Sequence, residues 1–201
     1  MPDIKYDLRE LQKLKERLGE DSEKVETALR WAVNATAKKA ATHISRDVRE
    51  TYAISASGIK RRLKITNYRR SGTGASRALL YTGRRLPLEQ FKPKTKWVAV
   101  SPRRRVKSGP RKGSQARRRG VTVRVRKDKG RQLVKGGWYA KDHVLRRADK
   151  ADNDSQPRMQ YGPSIPGMVA YPETIEGAQE LVRRDLPQQF SDRLDYLLNK
   201  D

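Results

Sequence analysis

Three groups of residues could do chemistry: two histidines, a Ser/Gly-rich turn and an acidic loop. His43 falls within a long apolar-striped segment, His143 lies beside a short strand-like run, and the chain has no cysteine. That excludes disulfides, thiolate nucleophiles and Cys-containing zinc sites, and no His spacing here builds a metal site. "SGTGAS", Ser71–Ser76, lacks the third glycine of a dinucleotide fingerprint and the Gly-Lys-Ser/Thr ending of a P-loop. It reads as a polar turn. "DKADND" gathers Asp149, Asp152 and Asp154 without the glycine and distal glutamate of a calcium loop. A basic metal nuclease would need such carboxylates on rigid elements, so a solvated acidic loop is the expectation. No catalytic, cofactor or metal site is expected.

The run "RRRVKSGPRKGSQARRRG", Arg103–Gly120, is different in kind. It carries Arg103, Arg104, Arg105, Arg111, Lys112, Arg117, Arg118 and Arg119 and no acidic residue. The whole chain has 47 Lys and Arg against 23 Asp and Glu, a net charge of +24. Such an excess speaks of polyanionic partners rather than of fold. Readers of single strands interleave aromatics with cations, yet no Phe, Tyr or Trp stands between Trp97 and Trp138. The long helix has no Arg-rich reading face either. Sequence-independent contact with DNA phosphates remains, or contact with an acidic protein surface; the bland alternative is a solvated charge run.

"QYGPSIPGM" holds apolar Tyr161, Ile165 and Met168 on a frame stiffened by Pro163 and Pro166. Either this loop packs on its own domain, or these five residues anchor in a neighbour's pocket as an assembly interface.

The elements that must carry these groups follow from periodicity. Leu8, Leu11, Leu14 and Leu18 predict a short amphipathic helix ending at Gly19. From Val25 through Leu29, Val33, Thr36, Ala40, Ile44 and Val48 to Tyr52, a second stripe predicts an Ala-rich helix running to about Glu50. A short helix is expected near Ser57. The period then changes: "KWVAVSP" and "GVTVRVRK" alternate as strands, with Val121, Val123 and Val125 on one side. They would make the basic run a hairpin arm. Three prolines and two glycines around "RMQYGPSIPGMVAYP" predict an extended, irregular segment. Val182, Leu186, Phe190, Leu194 and Leu197 mark a C-terminal helix, where Pro187 should kink the helix or begin a new one capped by Asp185.

The expected fold is one α+β domain: N-terminal helices including the long Ala-rich one, a central antiparallel sheet with a basic hairpin arm, and a C-terminal helix. Its divisions are helix 1–20, helices 21–66, sheet 76–150 with arm 102–120, extended loop 151–172 and helix 173–199. The N-terminus, "MPDIKYDLRE", has no apolar signal core, and no run is apolar enough for a membrane span. Synthesis in a cytoplasm is expected.

Three stretches then acquire meaning together. "ALRWAVNATAKKAATHISRDVRETYAISASGIKRRL", "LPLEQFKPK" and "MQYGPSIPGM", in that order, resemble the phage minor tail protein Z family of tailed bacteriophages and prophages. The resemblance spans roughly Val25 to Leu198 and does not extend to the basic insertion. It implies a non-enzymatic virion protein, made in the bacterial host, that acts in tail completion and head–tail joining at the neck. The partners implied are the tail terminator, the head-completion or adaptor rings, and further copies of the chain in a ring. Non-specific contact with phage DNA fits the charge. Charge alone would equally suit a sequence-independent nucleic-acid-binding protein of ribosomal or nucleoid type; ring formation with tail proteins separates the two.

Overall fold

In a computed structural model the long apolar stripe forms helix α1, Ser22–Thr51. The structure describes residues 22–71, 74–149, 152 and 154–199; the helix expected over Leu8–Leu18 lies outside the described residues. Two compact units emerge. One comprises the described chain up to Val48, Ala56–Gly83 and the chain from Ile165 onward; the other comprises Arg49–Ser55 and Arg84–Ser164.

In the first unit Val25, Ala28, Ala32, Ala40, Ile44 and Val48 recur at helical spacing on α1, and all are buried. A short helix, α2 (Ala56–Lys60), buries Ile59. Strand β1 (Leu63–Ile65), β2 (Arg69–Ser71), β3 (Gly74–Ser76) and β4 (Leu79–Tyr81) form two antiparallel pairs, β1 with β4 and β2 with β3. Arg77 ties them to the helix: its Nε donates to the Thr66 carbonyl at 2.8 Å, and its guanidinium also bonds Asn34 of α1. Helix α3 (Ile165–Val169) buries Ile165 and Met168, and α4 (Pro172–Leu198) starts with proline at its first position.

Helices α1 and α4 run antiparallel. Ala32 and Ala40 cluster with Val182 and Leu186, while Val25 and Ala28 cluster with Leu194. Burying a Val or Leu side chain here is worth about 1.5–3 kcal/mol, and the alanines contribute less each while letting the helices approach closely. Of the two outcomes expected at Pro187, no new helix begins there: α4 continues through it. Buried Leu186 and Leu194 hold the turns on both sides, so packing offsets the missing backbone bond. Asp185 is not a cap. Its carboxylate takes Lys39 Nζ at 3.1 Å and Arg184 Nε at 2.9 Å, and these two cations, Arg184 foremost, hold the carboxyl below its usual value.

The second unit is built mainly of short strands. β5 (Arg85–Pro87) leads into a 3-10 turn, Leu88–Phe91. β6 (Lys94–Ala99), β7 (Arg117–Val123) and β8 (Gln132–Leu133) form one antiparallel sheet. β9 (Gly137–Ala140), β10 (His143–Arg147) and β11 (Pro157–Met159) form another, and β12 (Tyr161–Ser164) pairs with β5. The class is α+β, as expected, with the strands distributed over several small sheets rather than one. Val121, Val123, Val144, Leu86 and Phe91 make the core. Tyr52 joins them just past α1: Ala53 N–H donates to Val125 O, and Lys127 N–H to Thr51 O.

The irregular reading of the Pro/Gly segment is also corrected, since Tyr161–Ser164 is a strand and Ile165–Val169 a helix. Pro163 sits where the β5–β12 register slips, on a strand with one partner, so its missing N–H costs no ladder bond. Pro166 falls in the first turn of α3, where backbone donors have no helical partner anyway. Gly162 explains why two motifs distant in sequence occur together. A Cβ on Gly162 would stand 2.8 Å from Phe91 Cε2, so only glycine lets the "LPLEQF" turn seat Phe91 against β12. Leu88 N–H donates to Gln160 O across the same junction.

Candidate polyanion and assembly surfaces

The basic run is an ordered hairpin. β6 and β7 are in register from Lys94 opposite Thr122 to Ala99 opposite Arg117, so the second arginine triplet lies in a strand and residues 100–116 form the arm. Backbone bonds continue outward from the strands. Val100 N–H donates to Ala116 O at 2.8 Å, Ala116 N–H to Arg104 O at 2.9 Å, and Val106 N–H to Ser114 O at 2.9 Å. At the tip Gly109 and Gly113 take left-handed φ of 81° and 83°, a conformation that suits glycine.

This backbone holds the cations outward. Arg103, Arg104, Arg105, Arg111, Lys112, Arg117 and Arg119 are exposed. Arg118 is half-buried and donates to the Gly137 carbonyl at 3.2 Å, so it is part of the fold's own bonding. The chain has no acidic residue between Glu89 and Asp128, and residues 84–164 hold 25 of the Lys and Arg but only 6 of the Asp and Glu. The second unit therefore carries most of the net charge. Its low share of carboxylates leaves that charge for an external anion.

The sequence reading missed the aromatic side of this surface. Opposed residues of an antiparallel pair share a face, so Trp97 stands beside Arg119, whose guanidinium lies 5.8 Å from the centre of the indole ring. Trp97 is 57 % exposed. Along the same face Val121 is buried and Arg117 exposed, so the face passes from core to solvent within a few residues. Next to it Pro93, Lys94, Thr95 and the exposed Tyr139 line an open cleft of about 470 Å³. The only signal in the sequence was the strand alternation on both sides of the arm, from which this pairing follows.

The other chemistry-bearing groups are tied up locally. His143 Nδ1 lies 3.1 Å from Glu89 Oε1, and His43 Nδ1 3.1 Å from Asp47 Oδ2 one turn along α1. In the acidic loop Asp152 Oδ1 accepts Asp154 N–H at 2.8 Å, and Ser155 Oγ donates to the Asp149 and Asp152 carbonyls. Among the described residues no three His, Asp or Glu side chains gather as metal ligands. Ser71 and Gly74 pair at the end of the β2–β3 hairpin. Of the expected interface residues, Tyr161 is 51 % exposed, Pro163 and Pro166 are half-buried, and Ile165 and Met168 are core.

No described helix is long and apolar enough to cross a membrane. No curated protein and no solved structure matches the chain. Residues 5–200 match the family model of the prophage minor tail protein Z, which takes in the helices, the hairpin and the Pro/Gly segment alike. The chain belongs to the prophage minor tail protein Z family, structural proteins of the phage tail that work in contact with other tail proteins.

Proposed function

We propose that this tail protein has no catalytic role and acts in tail completion and head–tail joining, as a subunit of a ring at the head-proximal end of the tail. The observation that carries this reading beyond the family is the ordered basic hairpin. Identical copies side by side, each projecting Arg103–Arg105 and Arg117–Arg119, would repel one another unless an anion lay between them. A tail end facing the head supplies two such anions: phage DNA, and acidic surfaces of the terminator and head-completion or adaptor rings. The cations then hold the subunit in its assembly without reading base sequence. Tyr161, the exposed apolar group of its segment, supplies an aromatic contact to a neighbouring subunit.

A phage lacking the protein tests this. Heads and tails should still be made, while free heads and tails, or joined particles that fail to deliver DNA, accumulate and the infectious titre collapses. A normal titre from the deletion phage would sink the proposal.

A further inference from the structure

The reading above leaves the chemistry of the anion open, and the Trp97 face narrows it. Duplex DNA offers phosphates outside and keeps the faces of its bases stacked inside. An acidic protein offers carboxylates. Both partners need the arginines, and neither needs an indole exposed among them. Trp97 is 57 % exposed, sits on a well-paired strand rather than a loose loop, and has Arg119 over its ring. Thr95, on the same face two residues along β6, lines the cleft shared with Lys94 and Tyr139, itself 40 % exposed. Tyr139 belongs to the neighbouring sheet and its hydroxyl donates to Asp142. The exposed indole, with Arg119 over it and exposed Arg117 on the same face of strands that carry no carboxylate, matches what single-strand binders use. Their bases stack on aromatic side chains while a basic groove follows the backbone.

We propose that the β6–β7 face binds single-stranded nucleic acid, with an unpaired base stacked on Trp97 and phosphates held by Arg117 and Arg119. This rests on the hairpin being a polyanion contact and names the polyanion. Specificity is for unpaired bases over paired ones, not for one base over another, because every base has a π-face to stack. Arg119 serves both parts: it holds a phosphate while covering the indole.

The test uses the full-length protein and three polyanions: an oligo-thymidine strand, a duplex of equal length, and poly-glutamate. The strand should bind more tightly than the duplex at equal salt and quench tryptophan fluorescence. Trp97→Ala should weaken strand binding about five-fold or more and leave duplex and poly-glutamate within about two-fold. Trp97→Phe should restore most of the loss, because it restores a ring. Trp97→Leu, which keeps apolar bulk, replaces the alanine variant if circular dichroism shows that one unfolded. Equal loss for all three polyanions, no loss for the strand, or a duplex that binds as tightly as the strand would overturn the assignment. Replacing the exposed arginines with Gln reports on the underlying reading instead. If that change weakens no polyanion, the hairpin is not a polyanion contact at all.

Discussion

Tyr81 shows how much one buried polar atom constrains this fold. It closes β4 in the first unit, its hydroxyl is buried without a hydrogen-bond partner among the described residues, and burial pushes its phenol up to about 12 from 10.0. Ionising it would place a charge where burial strips away solvating water. The folded chain therefore keeps this proton after the unfolded chain has released it, and stability falls as pH rises from about 10 to about 12. Below that window the phenol is neutral in both states and its titration contributes nothing. Tyr81→Phe removes the titration and also the unpartnered hydroxyl. The melting temperatures of wild type and variant should run parallel up to about pH 10 and then diverge, the variant losing less. Both proteins carry the same lysines, so the difference isolates this phenol. Curves that stay parallel to pH 12 would show that the hydroxyl reaches water.

At the scale of elements, the β5–β12 junction rests on the absence of a side chain. Phe91 is fully buried against Gly162, and a methyl there would overlap its ring. Gly162→Ala should cost about 1–3 kcal/mol, the usual range for overpacking a filled core, read from denaturant unfolding. The neighbouring Tyr161→Ala removes an exposed ring and should leave the unfolding midpoint nearly unchanged while lowering incorporation into virions. If Gly162→Ala unfolds at the wild-type midpoint, Phe91 has room to move and the junction is loosely packed. If Tyr161→Ala lowers the midpoint instead, its ring packs within its own unit.

For the whole molecule the governing quantity is charge. With +24 spread unevenly and the second unit nearly free of carboxylates between β5 and β8, the hairpin should bind anions in a salt-dependent manner. Changing Arg103, Arg104, Arg105, Arg117 and Arg119 to Gln should flatten the slope of log affinity for duplex DNA against log salt. The expected change is about 0.9 for each phosphate that is no longer neutralised. Arg118 is left in place because it bonds Gly137. The melting temperature should hold or rise, since exposed like charges oppose compaction. Random and defined duplexes should bind alike before and after. A marked preference for one duplex sequence would point to base readout, for which this surface has no element.

The long helices α1 and α4 were legible in the sequence because their signal is local. Val25 to Val48 repeat at three and four residues, and that spacing alone places them on one face whatever they later touch. The net charge, the absence of cysteine and the hairpin alternation around the arginines were equally plain, being properties of composition and of near neighbours. What only the tertiary structure decided depends on residues brought together from afar. Trp97 and Arg119 are 22 positions apart in the chain and adjacent in the sheet, so a search for aromatics inside the basic run passed them by. Pro163, Pro166 and Pro187 all signalled irregular backbone, and each lies in a strand or helix whose partners need nothing from its missing N–H or outweigh the loss. Ile165 and Met168 looked like anchors for a neighbour and are core instead, because burial is a property of what packs over a residue and not of the residue itself.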